Sequence, residues 1–211
     1  LIHFKTEIGS RTQEESVTSA TRFIFTVTAF VGAFLLFLVQ PLFARLLLPM
    51  WGGGPVVWAV CMVFFQCALL GGYAYAHLVA TRLAPRRQAL WHALPLIMGA
   101  TFLPLSLGLD PLGLDPAAPI MGLFGILLKR LGLPFLILAA TAPLLQSWYH
   151  RAGQANPYPL YAAGNVGSLL ALLAYPIVIE PYLTLTEQRI GWSAGYLLFA
   201  VLLLVFCAPW R

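Results

Sequence analysis

Few side chains in this 211-residue chain could do chemistry, and most of them stand inside long apolar runs. Gln66 lies near the middle of one. An amide in hydrocarbon needs hydrogen-bond partners, which a neighbouring helix or a bound solute can supply. Asn165 and Ser168 belong to Gly164-Asn165-Val166-Gly167-Ser168, where the glycines suit close helix packing or, alternatively, a binding site. Gln40 and Gln146 stand beside or near Pro41 and Pro143, and each proline deprives a backbone carbonyl of its helical donor. The amides can answer those carbonyls, or serve a broken-helix site that binds a solute. All five residues are neutral. They can bind and orient a molecule but cannot exchange a proton with it at ordinary pH.

The titratable groups are sparser still. Glu180 adjoins an apolar run and could hold a cation or a polyamine, although an ion pair with Arg45 or Arg189 is the plainer reading. Arg45 alternatively meets a lipid phosphate. His77 and His150 are predicted at the inner interface, solvated or against head groups, far apart in sequence and with no third ligand apparent for a metal; His92, near the inner end of the third span, has the same solvated reading. Cys61, Cys67 and Cys207 lack metal-ligand spacing and read as small packing residues. No paired carboxylate, Ser-His-Asp set or Cys-His set falls at one depth, so no catalysis is predicted. The many Phe, Tyr and Trp suit lipid-facing surfaces and interfacial belts. Bound lipid is expected and no resident cofactor is predicted, while pigment or quinone contact stays open.

The elements that must carry these residues follow from composition. The chain is 60% hydrophobic and 9% charged, with a mean hydropathy of +0.85. Soluble domains carry about 25% charged residues. Six stretches, 23–39, 56–76, 89–109, 131–149, 158–179 and 190–208, contain no Asp, Glu, Lys or Arg. About 20 such residues at roughly 1.5 Å each cross a hydrocarbon core. The predicted fold is all-α: a polar cytoplasmic segment over 1–22, then a six-span membrane domain over 23–211.

Charge sets the predicted direction. With the N-terminus inside, the inner segments hold Lys5, Arg11, Arg22, Arg82, Arg86, Arg87, Arg151 and Arg211. The outer ones hold Arg45, Lys129, Arg130 and Arg189, with Asp110 and Asp115 in a Pro-rich outer loop. Both termini are therefore predicted in the cytoplasm. A short interfacial helix over 120–130 would let Lys129 and Arg130 reach the outer surface. Thr12 and Glu15 have capping-box spacing ahead of the first span. The first span is predicted to break or tilt at Pro41, and 51–55 to form a tight turn whose proline opens the next helix. The net charge of +5 has no basic stripe interleaved with aromatics, so no nucleic-acid partner is predicted. Gln40-Pro41-Leu42 is echoed by Ala142-Pro143-Leu144, which suggests two three-span halves of inverted direction.

Several segments stand out together: Gln40-Pro41-Leu42-Phe43-Ala44-Arg45, Leu48-Pro49, Gly52-Gly53-Gly54-Pro55, Trp58, Phe65-Gln66, Gly72-Tyr73-Ala74-Tyr75-Ala76-His77, Thr141-Ala142-Pro143-Leu144-Leu145-Gln146-Ser147-Trp148, the run 160–176, and Glu180-Pro181. In this order they resemble the membrane half of fused major-facilitator/spermidine-synthase-like bacterial proteins. Gly164 departs from the pattern, which has a serine there. The resemblance implies a major-facilitator-like half in the bacterial inner membrane. In many relatives a cytoplasmic aminopropyltransferase-type domain follows, and the residues here lack its nucleotide loop and acidic pocket, so that activity is not carried over. The expected role is a non-catalytic membrane module, an accessory or scaffolding subunit with membrane-protein partners. The alternative is a half-transporter or sensor for a small amine-like solute, working as a homodimer, with a partner, or with a missing C-terminal domain.

Overall fold

A computed structural model describes the backbone of residues 2–106, 119–152 and 156–207, and the side chains of 19–106, 120–152 and 156–205. Within these residues every regular element is helical. Six rods follow one another: α1 (Ile2–Trp51), α2 (Pro55–Arg82), α3 (Pro85–Ala100), α4 (Pro119–Arg151), α5 (Tyr158–Tyr182) and α6 (Leu185–Cys207). Five are long and apolar enough to cross a membrane: α1 from Ser19 onward, α2, α4, α5 and α6. The chain is thus built as a multi-pass membrane protein. Asp110 and Asp115, expected in an outer loop, lie outside the described residues, as do the side chains of Lys5, Arg11, Thr12, Glu15, Cys207 and Arg211.

The third stretch departs from its predicted span of 89–109. Its helix has only 16 residues, about 24 Å of rise, and ends at Ala100. Thr101 turns its hydroxyl back to the Met98 carbonyl, and Pro104 follows a cis peptide bond. Prolines instead open helices, at Pro55 and Pro85, where the missing N–H costs nothing. Gly52, at φ 69, closes α1 with its N–H on the Leu48 carbonyl.

Three other expectations are corrected. The first span does not break: α1 runs through both Pro41 and Pro49. No helix starts at Thr12, which lies inside α1. Residues 120–130 are no separate interfacial helix but the first turns of α4, with Lys129 and Arg130 on its exposed side. In lipid no water competes for backbone groups, so a helix once formed tends to continue.

Packing follows two principal interfaces, α1 with α5 and α2 with α4. Lipid gives little hydrophobic drive between helices, so close approach and hydrogen bonds must hold them. Glycine provides the approach at both interfaces. A Cβ on Gly72 would lie 2.8 Å from the Leu136 carbonyl oxygen, and one on Gly167 2.5 Å from that of Phe30. At the α2–α4 interface Phe64, Phe65, Phe124 and Phe135 form an aromatic cluster.

The contacts recur between α1–α3 and α4–α6. Exchanging α1 with α4, α2 with α5 and α3 with α6 turns the α1–α5 interface into the α4–α2 interface. Gln88 and Gln188, each early in its helix, make matching bonds. Gly99 faces Pro134 as Phe199 faces Gly32. Contacts along α3 from Gln88 to His92 to Gly99 meet α4 at Trp148, Thr141 and Pro134, so those two helices run oppositely. The matched halves have opposite direction.

Candidate functional site

Helices α1, α2, α4 and α5 form one face of the bundle, and two open grooves run along it. The inner groove, about 310 Å³, lies between α1, α4 and α5 with Tyr73 of α2 at its edge. Its polar lining is Thr28, Tyr73, Thr141, Gln146, Tyr161, Asn165 and Ser168. Three of the hydroxyls bond the backbone of their own helix: Thr28 to Ile24, Thr141 to Ile137 and Ser168 to Asn165. The Gln146 and Asn165 amides hold no hydrogen bond to another described side chain or backbone group. The groove can therefore accept and donate neutral hydrogen bonds, and no charged group lines it.

The outer groove, about 480 Å³, continues along the same side of α1 to its C-terminal end. Gln40, Arg45, Trp58, Tyr175 and Glu180 line it among apolar side chains. Arg45 forms an ion pair with Glu180 across α1 and α5. A π-helical turn, Tyr175–Ile179, leads into Glu180. The N–H of Glu180 bonds the Tyr175 carbonyl five residues back, which keeps Glu180 on the side of α5 that Tyr175 occupies. A regular α-helix would have rotated it away from that side.

The predicted site residues thus divide in two. Gln146, Asn165 and Ser168 come together in the inner groove; Gln40, Arg45 and Glu180 come together in the outer one. Gln66 joins neither set. It is exposed, on the face of α2 that also carries Met62 and Tyr73. Its reading as glue between helices of this chain is not what the fold displays. Gln40 donates to the Leu36 carbonyl at 3.3 Å, one residue before the carbonyl that Pro41 leaves without a donor. His77 is exposed at the opposite end, as expected of an interfacial residue.

His92 is a correction, since it is fully buried rather than solvated. Its Nε2 lies 2.9 Å from Thr141 Oγ1, whose hydrogen is directed at the Ile137 carbonyl. Nε2 is therefore the protonated nitrogen and donates to Thr141. Trp192, its match in the other half, donates directly to the Leu35 carbonyl at 2.9 Å. Arg189 does not pair with Glu180; its Nε donates to the Leu105 carbonyl. Among the described residues, no three His, Cys, Asp or Glu stand together as a metal-binding group.

The strongest polar anchors were not among the predicted residues. Gln88 is fully buried; its Nε2 donates to the Ala80 and Leu83 carbonyls at 3.1 and 2.8 Å, and its Oε1 accepts from Trp148 Nε1 at 3.0 Å. Gln188 donates to Leu183 at 2.9 Å and Ile179 at 3.5 Å, and accepts from the Tyr175 hydroxyl at 3.1 Å. Each glutamine closes the open carbonyl end of the preceding helix. The signal was present: a leucine with a glutamine five residues on occurs at both hairpins. The capping box expected at Thr12 is found instead at Thr184 and Glu187, with Glu187 Oε2 accepting from the Thr184 N–H at 2.7 Å. Tyr75 donates to the Trp91 carbonyl at 2.9 Å, the carbonyl that Pro95 leaves without its helical partner.

Comparison of the chain with protein families, with curated proteins and with solved structures gives no match.

Proposed function

We propose that the chain is a non-catalytic membrane module, an accessory or scaffolding subunit that sets its grooved face against other membrane helices. One observation carries this reading. The buried polar side chains Gln88, His92, Gln188, Trp192 and Tyr196 bond within the bundle, whereas Gln66 stands uncovered on an apolar helix. An amide facing hydrocarbon is costly, and a partner helix relieves that cost. The resemblance to the membrane half of spermidine-synthase-like proteins points the same way, toward a major-facilitator-like half in a bacterial inner membrane with both ends cytoplasmic. Extraction in mild detergent tests it. A stoichiometric membrane-protein partner that is lost in Gln66→Leu supports the role; a lone monomer in native membranes refutes it.

A second reading has its own observation. The inner groove gathers Gln146, Asn165 and Ser168 on a face that a second copy or a partner domain could close into a cavity. Such a cavity suits a half-transporter or sensor for a small amine-like solute. Loss of uptake in Gln146→Leu and Asn165→Leu, with assembly intact, would favour it over the accessory role.

A further inference from the structure

The outer groove joins a charge pair to an apolar trough. Arg45 and Glu180 are 36% and 44% exposed, so both charges remain reachable from outside the fold. Their bond uses one guanidinium nitrogen, Nη1, and one carboxylate oxygen, Oε1. The other guanidinium N–H groups and Oε2 remain to meet a ligand. The neighbouring polar groups are already engaged: Tyr175 with Gln188, and Gln40 with Leu36. Leu48, Trp58, Met62, Phe65 and Leu172 also line the trough. Arg45 lies in the last turns of α1 and Glu180 in the last turn of α5, the depth at which lipid head groups meet a membrane helix.

We propose that this groove seats the head group of a zwitterionic phospholipid. The phosphate takes hydrogen bonds from Arg45, and the ammonium gives one to the free oxygen of Glu180. The first methylenes lie in the trough, and the groove's open side lets the acyl chains run down the bundle. Charge complementarity selects the occupant. An anionic phospholipid satisfies Arg45 but brings its charge beside Glu180, whereas a zwitterion answers both charges. The inference concerns the outer groove alone.

The test is lipid competition on the purified full chain, read by native mass spectrometry with phosphatidylethanolamine and phosphatidylglycerol of identical acyl chains. The wild type should retain phosphatidylethanolamine about tenfold better, the size of one charge-assisted hydrogen bond. Glu180→Gln should erase that preference, and Arg45→Gln should lower retention of both lipids. Equal retention of the two lipids by the wild type overturns the proposal, and this reading needs no variant to fold. A preference that persists unchanged in both variants overturns it equally.

Discussion

The hydroxyl of Tyr196 in α6 donates to the carbonyl of Leu96 in α3 across 3.0 Å, and Leu96 holds the position in α3 that Tyr196 holds in α6. The two matched helices therefore touch through matched residues. Gly99 makes the contact possible, because a Cβ there would overlap the Tyr196 hydroxyl. Gly99→Ala should destabilise the bundle by about 1–3 kcal/mol through overpacking. Tyr196→Phe should cost about 1 kcal/mol by removing the hydrogen bond. Together they should cost less than their sum, because the clashing oxygen is gone. Equilibrium unfolding in detergent measures the cycle, and strict additivity would contradict the geometry.

Glycines on α5 differ sharply in what surrounds them. Gly167→Ala forces a methyl group against the Phe30 carbonyl and should cost about 1–3 kcal/mol while loosening α1 from α5. Gly164 has only the Ala33 methyl, at 4.0 Å, so Gly164→Ala should stay within about 0.5 kcal/mol of wild type. Unfolding midpoints of the two variants, compared side by side, decide the matter.

Removing a buried glutamine takes a bond from groups on both sides of it. Gln88→Leu removes the donor to the Leu83 carbonyl and the acceptor of the Trp148 indole N–H; Gln188→Leu removes the donor to Leu183 and the acceptor of the Tyr175 hydroxyl. Each should cost about 1–3 kcal/mol. Gln146→Leu, whose amide holds no such bond, is the control and should leave stability nearly unchanged. If all three variants unfold alike, the glutamines are not structural anchors.

Direction in the membrane has a simple readout. Arg82, Arg86 and Arg87 lie at the α2–α3 turn, opposite the end that carries Arg45 and Glu180. In a background without native cysteines, Gly53→Cys should react with an impermeant maleimide in intact cells. Arg86→Cys should react only after the membrane is opened. The reverse pattern would invert the orientation expected from the basic residues.

Much of this architecture was legible in the residues alone. Charge-free runs marked α5 closely, together with the start of α2 at Pro55 and the end of α6. The end of α3 was not legible, because Thr101 and Pro104 stop a helix inside a run whose composition is apolar throughout. Prolines misled in the other direction, since α1 carries Pro41 and Pro49 without stopping. The fate of Gln66 was hidden for a reason special to lipid. Both faces of a spanning helix are apolar, so periodicity does not say which one turns inward. Gln88 and Gln188 sit just outside the apolar runs, so nothing in the runs themselves marks them as buried. The inner groove was half visible: Gln146, Asn165 and Ser168 were singled out separately, but only the packing of α4 beside α5 through α1 unites them.

The bond from Tyr75 to the Trp91 carbonyl bears on biosynthesis. Helix α3 is short, and Pro95 leaves one of its carbonyls open. Released singly from a translocon, it would expose that carbonyl to lipid at a cost of several kcal/mol. With α2 beside it, the tyrosine closes the gap at once. Within the hairpin of α2 and α3, joined through Leu83 and Ala84, the carbonyl that Pro95 frees thus meets its hydroxyl before any further helix is added.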